Sequence, residues 1–377
     1  MADVQGTWDQ RFDGVAATLA SSLEAGTDVG ASVAVFLEGE PVVDIWGGHV
    51  DEAHSAPWGR DTLTNVWSTT KTMTFLCALM LADRGELDFY APVAKYWPEF
   101  AAAGKEGVEV RHLMSHTAGL AGWTEHLEPE DLADWDLCTS RLAAQEPWWE
   151  PGTASGYHAV TQGYLIGEVV RRITGVTIGT WFASEVAGPL GADFFIGLPE
   201  SEDGRVSMVV PPPPIDFGAL NPSDLAVRAL SNPPLDATLP RRAWWRRAEI
   251  PAANGHGNAR SVAAIQSIVA GGGEARGVRL LSSAGCDAIF DEQSNGADLV
   301  LLGMPYRFGM GYGLSTEVMP IGPRACFWGG YGGSLIVMDL DARLTVAYVM
   351  NRMEAGLEGD VRGAEIMLAA AAALTEG

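Results

Sequence analysis

Apolar β-rich runs lie near both ends of this chain, and helical spacing of apolar positions dominates the middle. Residues 31–47, Ala-Ser-Val-Ala-Val-Phe-Leu-Glu-Gly-Glu-Pro-Val-Val-Asp-Ile-Trp-Gly, are two such runs joined at Glu38-Gly39-Glu40, which reads as a β-hairpin. Ser334 to Leu340 and Leu344 to Met350 flank Asp341-Ala342-Arg343 in the same way. Hairpins from early and late sequence predict one antiparallel sheet assembled from both. The alanine-rich stretch after Arg362 predicts a closing helix packed on that sheet. Between them, Met73, Leu76, Cys77, Met80 and Leu81 recur with helical spacing over Ser68 to Arg84, and Gly85 follows as a stop; Thr161 to Thr174, before Gly175, reads likewise.

The stretch from Gly204 to Ile250 carries Pro211 to Pro214, Asn221-Pro222, Asn232-Pro233-Pro234 and Trp244-Trp245, a sequence too broken for regular elements. Paired tryptophans do not suit a flexible linker, so an ordered covering loop is expected. The predicted architecture is an α/β fold. Residues 1–82 and 255–377 form a discontinuous region with an antiparallel sheet flanked by helices, and residues 83–254 a mainly helical region carrying the covering loop 204–250.

Length and composition change this picture little: 377 residues, 47% hydrophobic and 19% charged, suffice for a large core. Charge excludes more. A formal net charge of −24 repels phosphate backbones and anionic lipid, which argues against a nucleic-acid partner. Cys77, Cys138, Cys286 and Cys326 form no C-x-x-C pair and read as buried thiols. No window reaches the apolar length of a membrane span, and no basic stretch followed by an apolar run opens the sequence, so a cytoplasmic address is expected.

The sharpest chemical signal is Trp67-Ser68-Thr69-Thr70-Lys71. Positions three apart share a helix face, so a serine that starts a helix has its hydroxyl within reach of the lysine one turn on. The helix start also offers free N–H groups to an oxyanion, and its positive end favours the neutral lysine, a competent base. Lysine occurs only at Lys71, Lys95 and Lys105, against 21 arginines. Arginine, which cannot give up its proton, could not replace a base here. By itself the motif is also compatible with a serine N-cap followed by a solvated lysine.

Other segments resolve that choice. Val110-Arg-His-Leu-Met-Ser-His-Thr-Ala-Gly-Leu120, Trp149-Glu-Pro-Gly-Thr-Ala-Ser-Gly-Tyr157-His-Ala159, Asn254-Gly-His-Gly-Asn-Ala-Arg260 and Phe327-Trp-Gly-Gly-Tyr-Gly-Gly-Ser334 follow Ser68-x-x-Lys71 in order. This series resembles class C β-lactamases, penicillin-binding proteins and their esterase relatives. The resemblance, from about residue 30 to residue 352, implies a β-lactamase-like fold with the site between the two regions. It further implies Ser68 as nucleophile, Lys71 as its base, and Tyr157 sharing the base role and protonating the leaving group. Tyrosine is a poor base unless a cation is near, and Lys71 is the candidate. The oxyanion hole would be the backbone N–H groups of Ser68 and Tyr331.

Two departures bear on the substrate. The Phe327–Ser334 segment, which resembles the family's third motif, reads Trp328-Gly329-Gly330, where lactam-directed relatives keep a cation and a hydroxyl that grip a carboxylate; the Trp149–Ala159 segment, which resembles its second, ends in Ala159 instead of an amide or hydroxyl. Both point to neutral esters, and the pattern is similar to family VIII carboxylesterases, which act on short-chain acyl esters. Trp328, Gly329, Gly330 and His158 are the expected substrate-binding residues, Trp328 as a bulky wall favouring small acyl groups. His158 could equally point into a satisfied core.

No metal or organic cofactor is implied. His112 and His116 stand four apart, but no H-E-x-x-H pattern or third ligand accompanies them. A G-x-S-x-G pentapeptide is missing, which disfavours the α/β-hydrolase fold. The expected function is a serine carboxylesterase acting through an acyl-enzyme. The rivals are a β-lactamase, a D-aminopeptidase, an acyl transferase of the same fold, or a catalytically silent binding protein. The partner is a small-molecule ester; oligomeric state is left open.

Overall fold

The protein is described by a computed structural model covering residues 3–214, 220–356 and 359–375; residues 215–219 of the expected covering loop lie outside the described residues. The first hairpin joins Gly30–Leu37 (β2) to Glu40–Gly48 (β3), with Val4–Trp8 (β1) on the outer side of β3. Its turn residues Glu38 and Gly39 have φ of 53° and 83°, the left-handed pair whose twist matches that of the flanking strands.

Later strands are Ser294–Ala297 (β4), Pro305–Phe308 (β5), Gly313–Leu314 (β6), Ala325–Gly329 (β7), Leu335–Asp339 (β8) and Leu344–Met350 (β9). They extend one sheet of nine strands, in the order β1-β3-β2-β9-β8-β7-β6-β5-β4, with antiparallel neighbours throughout. Early and late sequence meet at β2 and β9, where Leu37 faces Leu344 and Ala31 faces Met350.

Helices Asp13–Ala25 (α1) and Val361–Thr375 (α5, the alanine-rich closing helix) pack side by side against the sheet. Ala259–Ala270 (α4), capped by Asn258, lies across β2, β9 and β8. With both faces covered, β2 is buried along seven of its eight residues, which is why its sequence is continuously apolar rather than alternating.

Lys71–Asp83 (α2) is buried on all sides from Lys71 to Leu81, and Thr161–Thr174 (α3) ends at Gly175 with φ of 77°. The covering segment is more regular than its prolines suggest. It contains the helices Asp224–Leu230 and Ala243–Arg247. Pro222 precedes the first and Pro233-Pro234 follow it, so they bound that helix without interrupting it, and the Ser223 hydroxyl caps it by accepting from the Ala226 N–H. All four cysteines are free and buried. Among the described residues no helix is long and apolar enough to cross a membrane.

Candidate active site

Ser68 does not begin α2 directly. It lies in a 3-10 turn, Trp67–Thr70, that feeds into the helix. The residue before it, Trp67, takes φ of +47°, a conformation costing a non-glycine residue on the order of 1 to 3 kcal/mol. Packing holds it there: the Trp67 ring meets Trp245 at 5.5 Å and Tyr331 at 5.4 Å, and the Ser334 hydroxyl binds Val66 O and Thr69 Oγ1, each at 2.9 Å.

The amine of Lys71, 1% exposed, lies 3.0 Å from Ser68 Oγ, 2.7 Å from Ala159 O and 3.0 Å from Ala252 O. The two carbonyls take two N–H donors, and the third position faces the serine. It can donate as an ammonium or accept the hydroxyl proton as an amine. The loop bearing Ala252 is stapled to this helix start by Thr74 Oγ1 on Pro251 O and by the Gly255 N–H on Thr70 Oγ1. Asn65 Nδ2 on Ala253 O adds a third tie.

Tyr157 arrives from a segment outside any helix or strand, and its hydroxyl lies 2.7 Å from Ser68 Oγ. Lys71 Nζ is 4.9 Å from the centre of its ring. The segment is held by Gly156 N–H on His116 O, by His158 N–H on His116 Nδ1, and by Tyr157 N–H on Asp298 Oδ1 at 3.0 Å. Asp298 and the carbonyl of Ala252 were not foreseen. The first lies 141 residues from Tyr157 with no motif around it, and the second is a backbone atom.

The backbone of Gly330 passes against the nucleophile. A Cβ built there would lie 2.2 Å from Ser334 Oγ, 2.4 Å from Val66 O and 3.4 Å from Ser68 N, so only glycine allows the approach. Among the described residues, neither the Ser68 nor the Tyr331 N–H donates to another protein group. Both donors are therefore without a protein partner, and Tyr331 directly follows Gly330, whose backbone lies against Ser68. The Tyr331 side chain is half-buried, and burial raises its phenol above the usual range.

Two expected substrate contacts read differently here. His158 is fully buried, and both ring nitrogens are engaged: Nε2 accepts from the Leu120 N–H at 3.0 Å, and Nδ1 donates to Gly156 O at 2.6 Å. Burial pushes its pKa down to about 3, so it is a neutral core histidine and not a substrate ligand. Trp328 is 2% exposed and packs among Phe75, His116, Phe308 and Tyr157. Its ring backs the tyrosine and offers almost no open wall. Gly329 is buried as the last residue of β7. His112 Nδ1 accepts from the Glu109 N–H, a role separate from that of His116, and among the described residues no three His, Cys, Asp or Glu side chains group as a metal site.

The beta-lactamase family model matches residues 15–371. The esterase/beta-lactamase LipL of Mycobacterium tuberculosis is 36% identical over 365 residues, covering 93% of this chain and 83% of that protein. A solved family VIII carboxylesterase superposes with a TM-score of 0.93 at 42% identity, over 98% of this chain and 100% of its own. A penicillin-binding protein homolog from Caulobacter crescentus gives 0.92 at 38%, with coverage of 98% and 100%. A family match across nearly the whole length, joined to this site geometry, settles the affiliation: the chain belongs to the beta-lactamase family.

Proposed function

We propose that this protein is a serine hydrolase of neutral carboxylic esters, working through an acyl-enzyme on Ser68. The observation that carries the reading is the convergence of Lys71 Nζ and Tyr157 Oη on one serine hydroxyl, at 3.0 and 2.7 Å. In this reading Ser68 Oγ attacks the ester carbonyl carbon while its proton passes to the Lys71–Tyr157 pair. The N–H groups of Ser68 and Tyr331 receive the oxyanion. Collapse breaks the acyl–oxygen bond, and Tyr157 returns the proton to the departing alcohol. Water then attacks the acyl-enzyme by the same proton route, releasing the acid and restoring Ser68.

Esters are favoured over lactams because the third motif supplies tryptophan and glycine, with neither cation nor hydroxyl for a carboxylate. The family VIII carboxylesterase among the similar structures supports the same choice. Ser68 is only 8% exposed, which supports small acyl groups. The name of LipL joins esterase to beta-lactamase, so lactam cleavage is the second reading to test. Four free, buried cysteines support a reducing, cytoplasmic setting, and a net charge of −24 supports a small-molecule partner over nucleic acid.

The test is hydrolysis of p-nitrophenyl esters from acetate to decanoate beside a chromogenic cephalosporin, by the wild type and Ser68→Ala. Fast Ser68-dependent cleavage of short esters with feeble lactam turnover is expected. Strong lactam turnover would overturn the preference argued from Trp328-Gly329-Gly330, and no turnover of either would point to a transferase or a silent binder.

A further inference from the structure

Between β4 and β5 the chain closes a tight turn, with the Asp298 N–H on Met304 O at 2.9 Å and the Gly303 N–H on Asp298 O at 3.1 Å. The Asp298 side chain is buried, and a single oxygen, Oδ1, accepts three backbone N–H groups: Val300 and Leu301 at 2.9 Å each, and Tyr157 at 3.0 Å. The first two are local bonds of the kind an aspartate makes to shape its own turn. The third leaves the turn and ends on the backbone of the residue whose hydroxyl touches Ser68. A second tie runs parallel to it, from the Leu299 N–H to Ser155 O at 2.9 Å. Among the described residues Oδ2 is buried without a partner, so the whole hydrogen-bonding role of the side chain falls on Oδ1.

We propose that Asp298 is a positioning residue for Tyr157, fixing through the main chain where the phenol meets Ser68. The proposal rests on Tyr157 being a proton carrier. Asp298 touches neither the serine nor the expected place of the ester. It acts on the pivot of a long side chain from a segment without regular secondary structure, and a small tilt at that N–H grows into a larger displacement at the hydroxyl. The turn joins the two outermost strands of the sheet, and it is anchored by Val300 and Leu301, both buried beside Asp298. Rates of proton transfer fall steeply when donor and acceptor lose hydrogen-bond contact.

The experiment is a set of double-mutant cycles on p-nitrophenyl acetate hydrolysis, with Asp298→Ala, Asp298→Ser and Asp298→Asn each made in the wild type and in Tyr157→Phe. Asp298→Ala and Asp298→Ser are expected to lower kcat about 10- to 100-fold with little change in KM. Asp298→Asn, which keeps an oxygen on the three N–H groups, should retain most of the activity. In the Tyr157→Phe background none of the three should cause further loss, because the hydroxyl they act through is gone. Equal fractional losses in both backgrounds would mean that the carboxylate only supports the fold and would overturn the proposal, as would full activity in Asp298→Ala. Where Ala and Ser fail to fold, a folded Asp298→Asn as inactive as Tyr157→Phe overturns it, and an active one supports it. Wild-type rates in Tyr157→Phe alone would instead remove the tyrosine from the mechanism, and the proposal with it.

Discussion

Lys71 Nζ lies 3.0 Å from Ser68 Oγ, while Ala159 O and Ala252 O occupy its two other donor directions. This is a socket for an amine. A guanidinium is planar, larger and permanently charged, so it neither fits between the two carbonyls nor accepts a proton. Lys71→Arg is therefore expected to lose about 10²- to 10⁴-fold in kcat/KM on short esters, as Lys71→Ala does. Circular dichroism on both variants separates lost chemistry from lost fold. A Lys71→Arg enzyme within a few-fold of wild type would refute the base role.

Gly330→Ala should disable the enzyme, because the added carbon lands beside the nucleophile. Its methyl group would meet Ser334 Oγ and Val66 O well inside contact distance and press toward the Ser68 N–H. Loss of an oxyanion donor costs about 10²- to 10³-fold in kcat. Gly175→Ala is the control, since its φ is +77° but nothing lies within 4 Å of the added carbon; it should cost about 1 kcal/mol in stability and leave kcat alone.

Acid should unfold this protein through its histidines. Burial holds His158 at a pKa of about 3 and His256 at about 4, and His116 well below its ordinary value. Each is depressed relative to the unfolded chain, so the unfolded state binds more protons as pH drops below about 6.5. Their contribution is complete above that pH and declines toward the folded values at about 1.4 kcal/mol per pH unit per histidine. Urea unfolding at pH 7.5, 6.0 and 5.0 should show stability falling between each step. A flat profile over that range would contradict the buried neutral state.

Arg362 is a buried charge that should be costly to remove. It is 6% exposed, pairs with Asp28 at 2.8 Å and with Asp360 at 2.5 Å, and donates to Gly332 O beside the expected oxyanion turn. Arg362→Ala leaves Asp28 buried without its cation, for a loss of about 3 to 5 kcal/mol in a denaturant titration. Replacing Asp28 as well, by Asn, should recover part of that loss.

Hairpins, the closing helix and the two long helices after Ser68 and Thr161 were legible because each is carried by contiguous residues. Proline spacing misled at 224–230, where the helix fits between the prolines and is capped by Ser223. Ser68, Lys71 and Tyr157 could be named from motifs, but their convergence depends on a fold that joins positions 89 residues apart. His158 was undecidable in sequence because its role depends on whether the Leu120 N–H and Gly156 O are there to meet it. Asp298 and the carbonyl of Ala252 left no signal, since one acts on a main-chain group and the other is one.

The seam between β2 and β9 has a consequence for how the molecule is made. β2 can pair with β3 once both are synthesised, but its other neighbour is β9, with Val33 facing Tyr348. At ribosomal rates of about 5 to 20 residues per second, that strand follows only after roughly 15 to 60 seconds. Throughout that interval Val33-Ala-Val-Phe-Leu37 presents an unpaired apolar edge, a template for association with other nascent chains. Recoverable yield then depends on what shields β2 during translation: slower growth at low temperature or abundant chaperones should raise it, while changes at the catalytic serine should leave it untouched.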